Sequence, residues 1–327
     1  MNMIPFLYSM LQLRAIRSPN EPIIIPRTDN LHWWERNGIF NAGVAEYRDQ
    51  IILLYRAYDD YRMSRLGLAN SRDGVHFTLH DHPIIDTNPT DEFERIGIED
   101  PRVTKIDDTY YIVHTSASYK NIGEVSDTGP KDYIPWRVRT GMHSTKDFKS
   151  FIHHGVILPD IPAKNASLLP EKIDGSFALY YREFTDHGEI LKIAFTKDFS
   201  SWFGTKDISW PTKDHWTNLK FGLGSQPILT PQGFLIVSHG VDSTSAYRLG
   251  LMLFDRNDPS KLLWHTGPIL EPEMPYEIKG FIPNVVYTCG AIICGDELWI
   301  YYGGADRVMG RAILQMKDIK QAITESP

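Results

Sequence analysis

Two adjacent carboxylates and an arginine stand together in Ile98-Glu99-Asp100-Pro101-Arg102-Val103. Such a group could donate a proton to a leaving group, hold an ion, or simply close a salt-bridged turn. Pro101 disfavours helix at Asp100 and removes a backbone donor, which suits a fixed strand entrance at a pocket. In an extended segment Glu99 and Asp100 point to opposite sides, so only one of them is expected to face a given cavity. Asn41, Arg56, Thr115, Asn165, Arg182, His239 and Asp306 also lie beside or within strongly apolar runs. Groups this polar are out of place at buried strand ends unless they pair with one another or hold a ligand. One carboxylate, two arginines and a histidine around one axis would suit a polyhydroxylated substrate together with an anion.

The elements that must gather these residues recur. QIILLYRAY, TYYIVHTSA, SFALYYREF, GFLIVSHGV and ELWIYYGGA each carry an apolar and aromatic run ending at a polar or small position. Aligning the run ends puts Arg56, Thr115, Arg182, His239 and Gly303 in register, 57 to 67 residues apart. Shorter runs precede them across tight turns, in AGVAEYRDQ, DPRVTKIDD, SLLPEKIDG, PILTPQG and AIICGDE, and these are hairpin signals. A third strand follows each, with a polar turn at Asp73, Asp147, Asp198 or Asp255 in four of the five. A repeat of about 60 residues made of four short strands predicts a propeller blade.

Five such units fit the length, so the expected fold class is all-β, a five-bladed β-propeller. Residues 1–327 form one catalytic domain in this reading, with an N-terminal arm over about 1–30. A β-sandwich, or two stacked β domains, is the competing arrangement. Helical folds fare worse, because the segments between turn signals are short and rich in Val, Ile, Tyr and Phe. The closing IKQAITESP would finish the last blade or tie it to the arm.

Composition narrows the function. A net charge of -7 over 327 residues argues against a nucleic-acid surface while permitting a local basic pocket. The two cysteines, Cys289 and Cys294, have no zinc spacing and make no disulfide framework. His76, His80, His82, His153 and His154 follow no ligand spacing and read as surface or turn groups, so no metal and no cofactor is expected. No apolar run is long enough to span a membrane, and the opening MNMIPFLYSM lacks the basic start of a signal peptide. The expectation is a cytoplasmic enzyme with small-molecule partners, and assembly into a homo-oligomer is left open.

The chain resembles glycoside hydrolase family 130, the mannoside phosphorylases and related β-mannosidases. The resemblance is carried by GIEDPRVTKIDDTYYI, KNASLLPEKIDGSFALYYR, LKFGLGSQPI, SHGVD, FIPNVVYTCGAI and YYGGAD in that order, from about residue 38 to residue 315. It implies a five-bladed propeller with the site on its axis, acting with inversion through one carboxylic acid, Asp100. The proton is expected to reach the glycosidic oxygen through the 3-hydroxyl of the bound mannose. No second catalytic carboxylate is needed if inorganic phosphate is the co-substrate and nucleophile.

By the same resemblance Lys164, Asn165, Arg182, Lys220, His239 and Tyr247 bind phosphate, with Lys164 standing where some relatives carry arginine. Asn41, Arg56, Arg65 and Asp306 would bind the mannosyl ring, although Arg65 also reads as an exposed turn residue. Glu99 would orient a neighbouring base such as Arg102. In the hydrolytic branch acidic residues replace part of the basic set; none of the six positions is acidic here, so phosphorolysis leads. Hydrolysis and a propeller that only binds carbohydrate are the alternatives. The acceptor side falls to Trp33 and Trp34 and to the insertion from Ala117 to Arg137, where Tyr119, Tyr133 and Trp136 could stack on a sugar. Whether that insertion closes this chain's own funnel or packs on a neighbour is open, as are the linkage and the acceptor sugar.

Overall fold

The computed structural model describes residues 13–121, 123–128, 135–209 and 215–325. Its strands fall into five consecutive antiparallel blades. Blade 1 comprises Gly38–Tyr47, Gln50–Tyr58, Ser64–Ser71 and Thr78–Leu79, and blade 2 comprises Gly97–Ile106, Thr109–Tyr119, Trp136–Thr145 and Phe151–Leu158. The two are joined by one parallel pair, Ser64 with Gly97. Blade 3 comprises Ala163–Leu168, Phe177–Thr185, Gly188–Thr196 and Phe203–Asp207. In blade 4 the first strand is broken into Lys220–Leu223 and Ile228–Thr230, followed by Gly233–Val241, Tyr247–Phe254 and Leu262–His265. Blade 5 comprises Val286–Cys294, Glu297–Gly304 and Val308–Gln315, and its fourth strand is Ile16–Arg17 from the other end of the chain.

The core explains why the runs are apolar throughout instead of alternating. Five apolar layers lie between the blades, so each blade is buried on both faces. Ile52, Leu54 and Leu66 meet Ile98 and Ile112 between blades 1 and 2. Val113 and Met142 meet Leu168 and Leu179 between blades 2 and 3. Tyr180 and Ile193 meet Phe234 and Ile236 between blades 3 and 4. Val237 and Leu251 meet Val286 and Ile300 between blades 4 and 5. Ile39 and Leu53 meet Ile292 and Tyr301 across the closure between blades 5 and 1. First strands of neighbouring blades pack on one another and so stand nearest the axis.

Closure differs from one expectation. The closing stretch does not finish the last blade; Met316–Glu325 is a helix that buries Met316 and Ile319 on the blade 4–5 layer. The N-terminal arm completes blade 5 instead, with Ile16 opposite Ile313 and Arg17 opposite Ala312. Arg17 Nη2 donates to the fully buried Glu277 carboxylate at 2.7 Å, and Arg311 Nε donates to the Ser18 carbonyl at 2.8 Å. A sheet edge that would otherwise invite pairing with another chain is thereby covered. Among the described residues no helix is long and apolar enough to cross a membrane.

Candidate active site

The first strands do more than line the axis, because three of them carry the same irregularity. Pairing is interrupted between Phe40 and Gly43, between Glu99 and Arg102, and between Lys164 and Ser167. Each interruption contains one left-handed residue: Asn41 at φ 50°, Asp100 at φ 52° and Asn165 at φ 54°. Asn and Asp tolerate that region better than other side chains, and a bulge re-aims the residue it contains. Strict alternation therefore fails at Glu99 and Asp100. Both side chains face one cavity, contrary to the expectation that only one could.

The second strands complete the arrangement. Arg56, Thr115, Arg182, His239 and Gly303 pair with Phe40, Glu99, Lys164, Gly222 and Tyr287, the equivalent place in each blade. Gly303 is required by closeness, since a Cβ there would lie 2.6 Å from Asn41 Oδ1. Gly222 is similar; its Cβ would come within 2.9 Å of the His239 ring and 3.0 Å of Asn165 Oδ1.

The resulting cavity has a volume of about 410 Å³. Ten of the eleven expected site residues line it: Asn41, Arg56, Asp100 and Asp306 from blades 1, 2 and 5, and Lys164, Asn165, Arg182, Lys220, His239 and Tyr247 from blades 3 and 4. Arg65 is the exception. It lies on the third strand of blade 1, where its Nη1 donates to Asp59 Oδ2 at 2.8 Å and its Nε to Asp86 Oδ1 at 2.7 Å. Two carboxylates hold it away from the axis, so it is a loop anchor with no contact to the cavity.

Around Asp100 the contacts are dense. Its Oδ1 accepts Asn41 Nδ2 at 3.0 Å and Arg56 Nη1 at 3.2 Å. Arg56 also donates through Nη2 to Glu99 Oε1 at 2.8 Å, and Lys164 Nζ reaches Glu99 Oε2 at 3.3 Å. Glu99 thus orients Arg56 and Lys164, and not Arg102 as the sequence suggested. The fully buried Arg102 lies beneath, donating to the carbonyls of Gly224, Leu223 and Asp100 and to the Tyr287 hydroxyl. Burial alone would raise the Asp100 carboxyl, but Arg56, Lys164, Asn41 and Arg102 outweigh it and hold Asp100 below the usual range. Asp306 goes the other way: burial, with Asp100 and Glu99 nearby, pushes it up to about 7 against the pull of Arg56 and Lys164.

The blade 3–4 wall is cationic and neutral. Arg182 Nη1 donates to the Phe221 carbonyl at 3.0 Å, lies 3.5 Å from His239 Nε2, and pairs with Glu189 at 3.2 Å. His239 Nδ1 sits 3.1 Å from the Leu223 carbonyl, which can only accept, so Nδ1 carries the proton. Burial first, then Arg182 and Arg102, holds His239 neutral with Nε2 as an acceptor. Among the described residues Asn41 Oδ1, Asn165 Oδ1 and Arg182 Nε are buried with no partner, leaving two acceptors and a donor for a ligand. Tyr287, which sequence reasoning did not single out, accepts from Asn165 Nδ2 at 2.7 Å and from Arg102 Nη2 at 2.9 Å. Its place beside the conspicuous FIPNVV stretch was the only signal available.

On the acceptor side, Trp33 and Trp34 do not line the cavity. Trp34 is buried against Tyr55, with Nε1 donating to the Asp81 carbonyl at 3.2 Å, and Trp33 covers the Arg65 guanidinium. The described ends of the insertion do line it, through Ala117, Thr128 and Trp136. Asp127 fixes those ends, accepting from Lys120 Nζ and Arg139 Nη1 at 2.6 Å each and from the Val138 amide at 3.0 Å. Tyr119 packs on Trp136 with ring centres 5.3 Å apart, and Tyr133 lies outside the described residues. Among the described residues no group of three or more His, Cys, Asp or Glu is placed to hold a metal ion.

Comparison with known proteins gives the family and the fold. The β-1,4-mannooligosaccharide phosphorylase family model matches residues 27–325. A 1,2-β-oligomannan phosphorylase from Thermoanaerobacter sp. (strain X514) is 38% identical over 320 residues, covering 95% of this chain and 100% of that one. A β-1,2-mannobiose phosphorylase from the same organism is 36% identical, covering 94% and 99%. The solved structure of β-1,2-mannobiose phosphorylase from Listeria innocua, in complex with β-1,2-mannobiose, superposes with a TM-score of 0.80 at 29% identity, covering 95% of this chain and 99% of that one.

Proposed function

The chain belongs to glycoside hydrolase family 130, and on that premise we propose that it is an inverting β-mannoside phosphorylase acting on β-1,2-linked manno-oligosaccharides. The observation that carries this reading is the division of the cavity. Asn41, Arg56, Asp100 and Asp306 stand on one side, and six cationic or neutral groups from blades 3 and 4 stand on the other. A sugar needs paired donors and acceptors, whereas phosphate needs converging donors. The linkage rests on the two Thermoanaerobacter relatives, whose names specify β-1,2 bonds.

In this mechanism hydrogen phosphate is held by donors from Lys164, Asn165, Arg182, Lys220 and Tyr247, while the acceptor Nε2 of neutral His239 takes a hydrogen bond from its remaining P–OH. One phosphate oxygen attacks the anomeric carbon from the face opposite the leaving group, and the C1–O bond breaks with its electron pair passing to the glycosidic oxygen. That oxygen takes a proton originating at Asp100 and relayed by the 3-hydroxyl of the mannosyl ring. The products are α-mannose 1-phosphate and a shortened acceptor, and the reverse reaction uses α-mannose 1-phosphate as donor. Inversion follows because no enzyme-linked sugar intervenes. Asp100 is held low without substrate, but an arriving phosphate offsets the cations facing it and raises its affinity for a proton. The acid is therefore made ready by substrate. Asp306, with its carboxyl pushed up to about 7, can present a proton to a sugar hydroxyl near neutral pH. The test is whether cleavage of β-1,2-mannobiose requires inorganic phosphate.

A further inference from the structure

Beside the catalytic cavity lies a second cleft of about 540 Å³, between blades 5 and 1. We propose that it is a subsite for a further sugar ring of a longer mannoside, beyond the rings held in the main cavity. The proposal rests on the phosphorolytic reading of that cavity.

The two spaces share a wall. Arg56 and Tyr58, two apart on one strand, line the main cavity and the cleft respectively, as do the neighbours Asp306 and Arg307, and Ile282 and Phe281. Tyr58 Oη comes within 3.5 Å of the Asp306 carbonyl. The cleft is built from chain on the face of the ring where the site opens. Arg36 and Asn37 lead into blade 1, Asp60 and Arg62 form its second turn, Phe281 precedes blade 5, and Arg307 lies in the turn after Gly304.

Its chemistry suits a neutral polyol better than an anion. Asp60 accepts Asn37 Nδ2 at 2.8 Å and Arg36 Nη1 at 3.3 Å, and Arg36 Nε is buried with no partner among the described residues. A sugar hydroxyl can accept from the guanidinium groups and donate to the Asp60 carboxylate, whereas phosphate, mainly an acceptor, would use the arginines and leave that carboxylate facing a like charge. Phe281 is 42% exposed, backed by Arg62 at 4.4 Å and Tyr58 at 5.6 Å, and offers an apolar face to a pyranose ring.

The test compares wild type, Phe281→Ala and Arg307→Ala on β-1,2-linked mannobiose, mannotriose and mannotetraose at saturating phosphate. Wild-type kcat/KM should rise by about tenfold from disaccharide to trisaccharide, and each variant should lose most of that gain. Both variants should stay within about twofold of wild type on the disaccharide, because both positions are exposed and outside the main cavity. No length preference in wild type, or an equal loss at every length, overturns the subsite. Calorimetric binding of the same sugars to Asp100→Asn, alone and combined with Phe281→Ala, needs no turnover. Tighter trisaccharide binding that Phe281→Ala abolishes supports the subsite even if cleavage proves independent of phosphate; equal binding of both lengths overturns it even if phosphorolysis holds.

Discussion

Asn41 Nδ2 donates to Asp100 Oδ1 at 3.0 Å across two blades, and both residues hold left-handed backbone, at φ 50° and 52°. The contact couples a bulge in one blade to the proposed acid in the next. Replacing Asn41 separates its two parts. Asn41→Ala loses the donor and keeps the strained backbone, while Asn41→Gly loses the donor and relieves the strain. Chemical denaturation should find the glycine variant more stable than the alanine variant by about 1 kcal/mol, with similar losses of activity. Equal stability would mean that the backbone is not constrained as described.

Asp100→Asn keeps the shape of the site and removes the acid. Turnover of an unactivated mannoside should fall roughly 10²- to 10⁴-fold, and an activated aryl mannoside should suffer less because its leaving group needs less protonation. Steady-state rates on both substrates check this. Near wild-type turnover of the unactivated sugar would remove Asp100 from the role.

Arg182→Ala should act through phosphate. A charged hydrogen bond contributes about 1.5 to 3 kcal/mol, so KM for phosphate should rise by about one to two orders of magnitude. Affinity for the mannoside, read separately by titration, should change far less. An equal loss for both ligands would place Arg182 in general support of the fold.

Acid stability should be governed by His114 and His143, which the sequence reading left unremarked, packed beside His153 and His154, which it took for surface or turn groups. His114 Nε2 and His143 Nδ1 lie 3.0 Å apart, His143 stacks on His153, and Glu94 reaches His153 at 3.2 Å and Ser116 Oγ at 3.1 Å. Ser144 Oγ meets His154 at 2.8 Å. Burial first, then neighbouring imidazoles, pulls His114 down to about 3 and His143 down to about 2. The unfolded chain then binds more protons, so stability is full above the ordinary histidine range and falls as pH drops from about 6.5 toward 3. Glu94, raised by burial, opposes part of this because the folded form gains its proton first. Thermal unfolding from pH 7 to pH 4 should show a falling midpoint, less steep in His143→Gln; an unchanged slope would contradict the assignment.

Much of this molecule is legible in its sequence because a propeller repeats one solution to one problem. Each blade buries both faces, so its strands read as apolar runs, and the run ends align because they occupy the same place around the axis. Asn41, Asp100 and Asn165 could be gathered by that alignment, but the bulges that turn them inward could not be read. Alternation misplaced Glu99 relative to Asp100 for that reason. Arg65 and Trp33 were misjudged together, since a guanidinium committed to Asp59 and Asp86 and stacked on Trp33 looks, in sequence, like one free for a sugar. Tyr287 is the opposite case: its hydroxyl joins Arg102 to Asn165, contacts made over more than a hundred residues that no local pattern records.

The most direct test of the central claim follows the anomeric signals by NMR during cleavage of β-1,2-mannobiose, with inorganic phosphate and in its absence. The account predicts α-mannose 1-phosphate as the first sugar product, formed only when phosphate is present. Free mannose released equally fast in phosphate-free buffer, with no sugar phosphate at any time, would contradict it and make the protein a mannosidase.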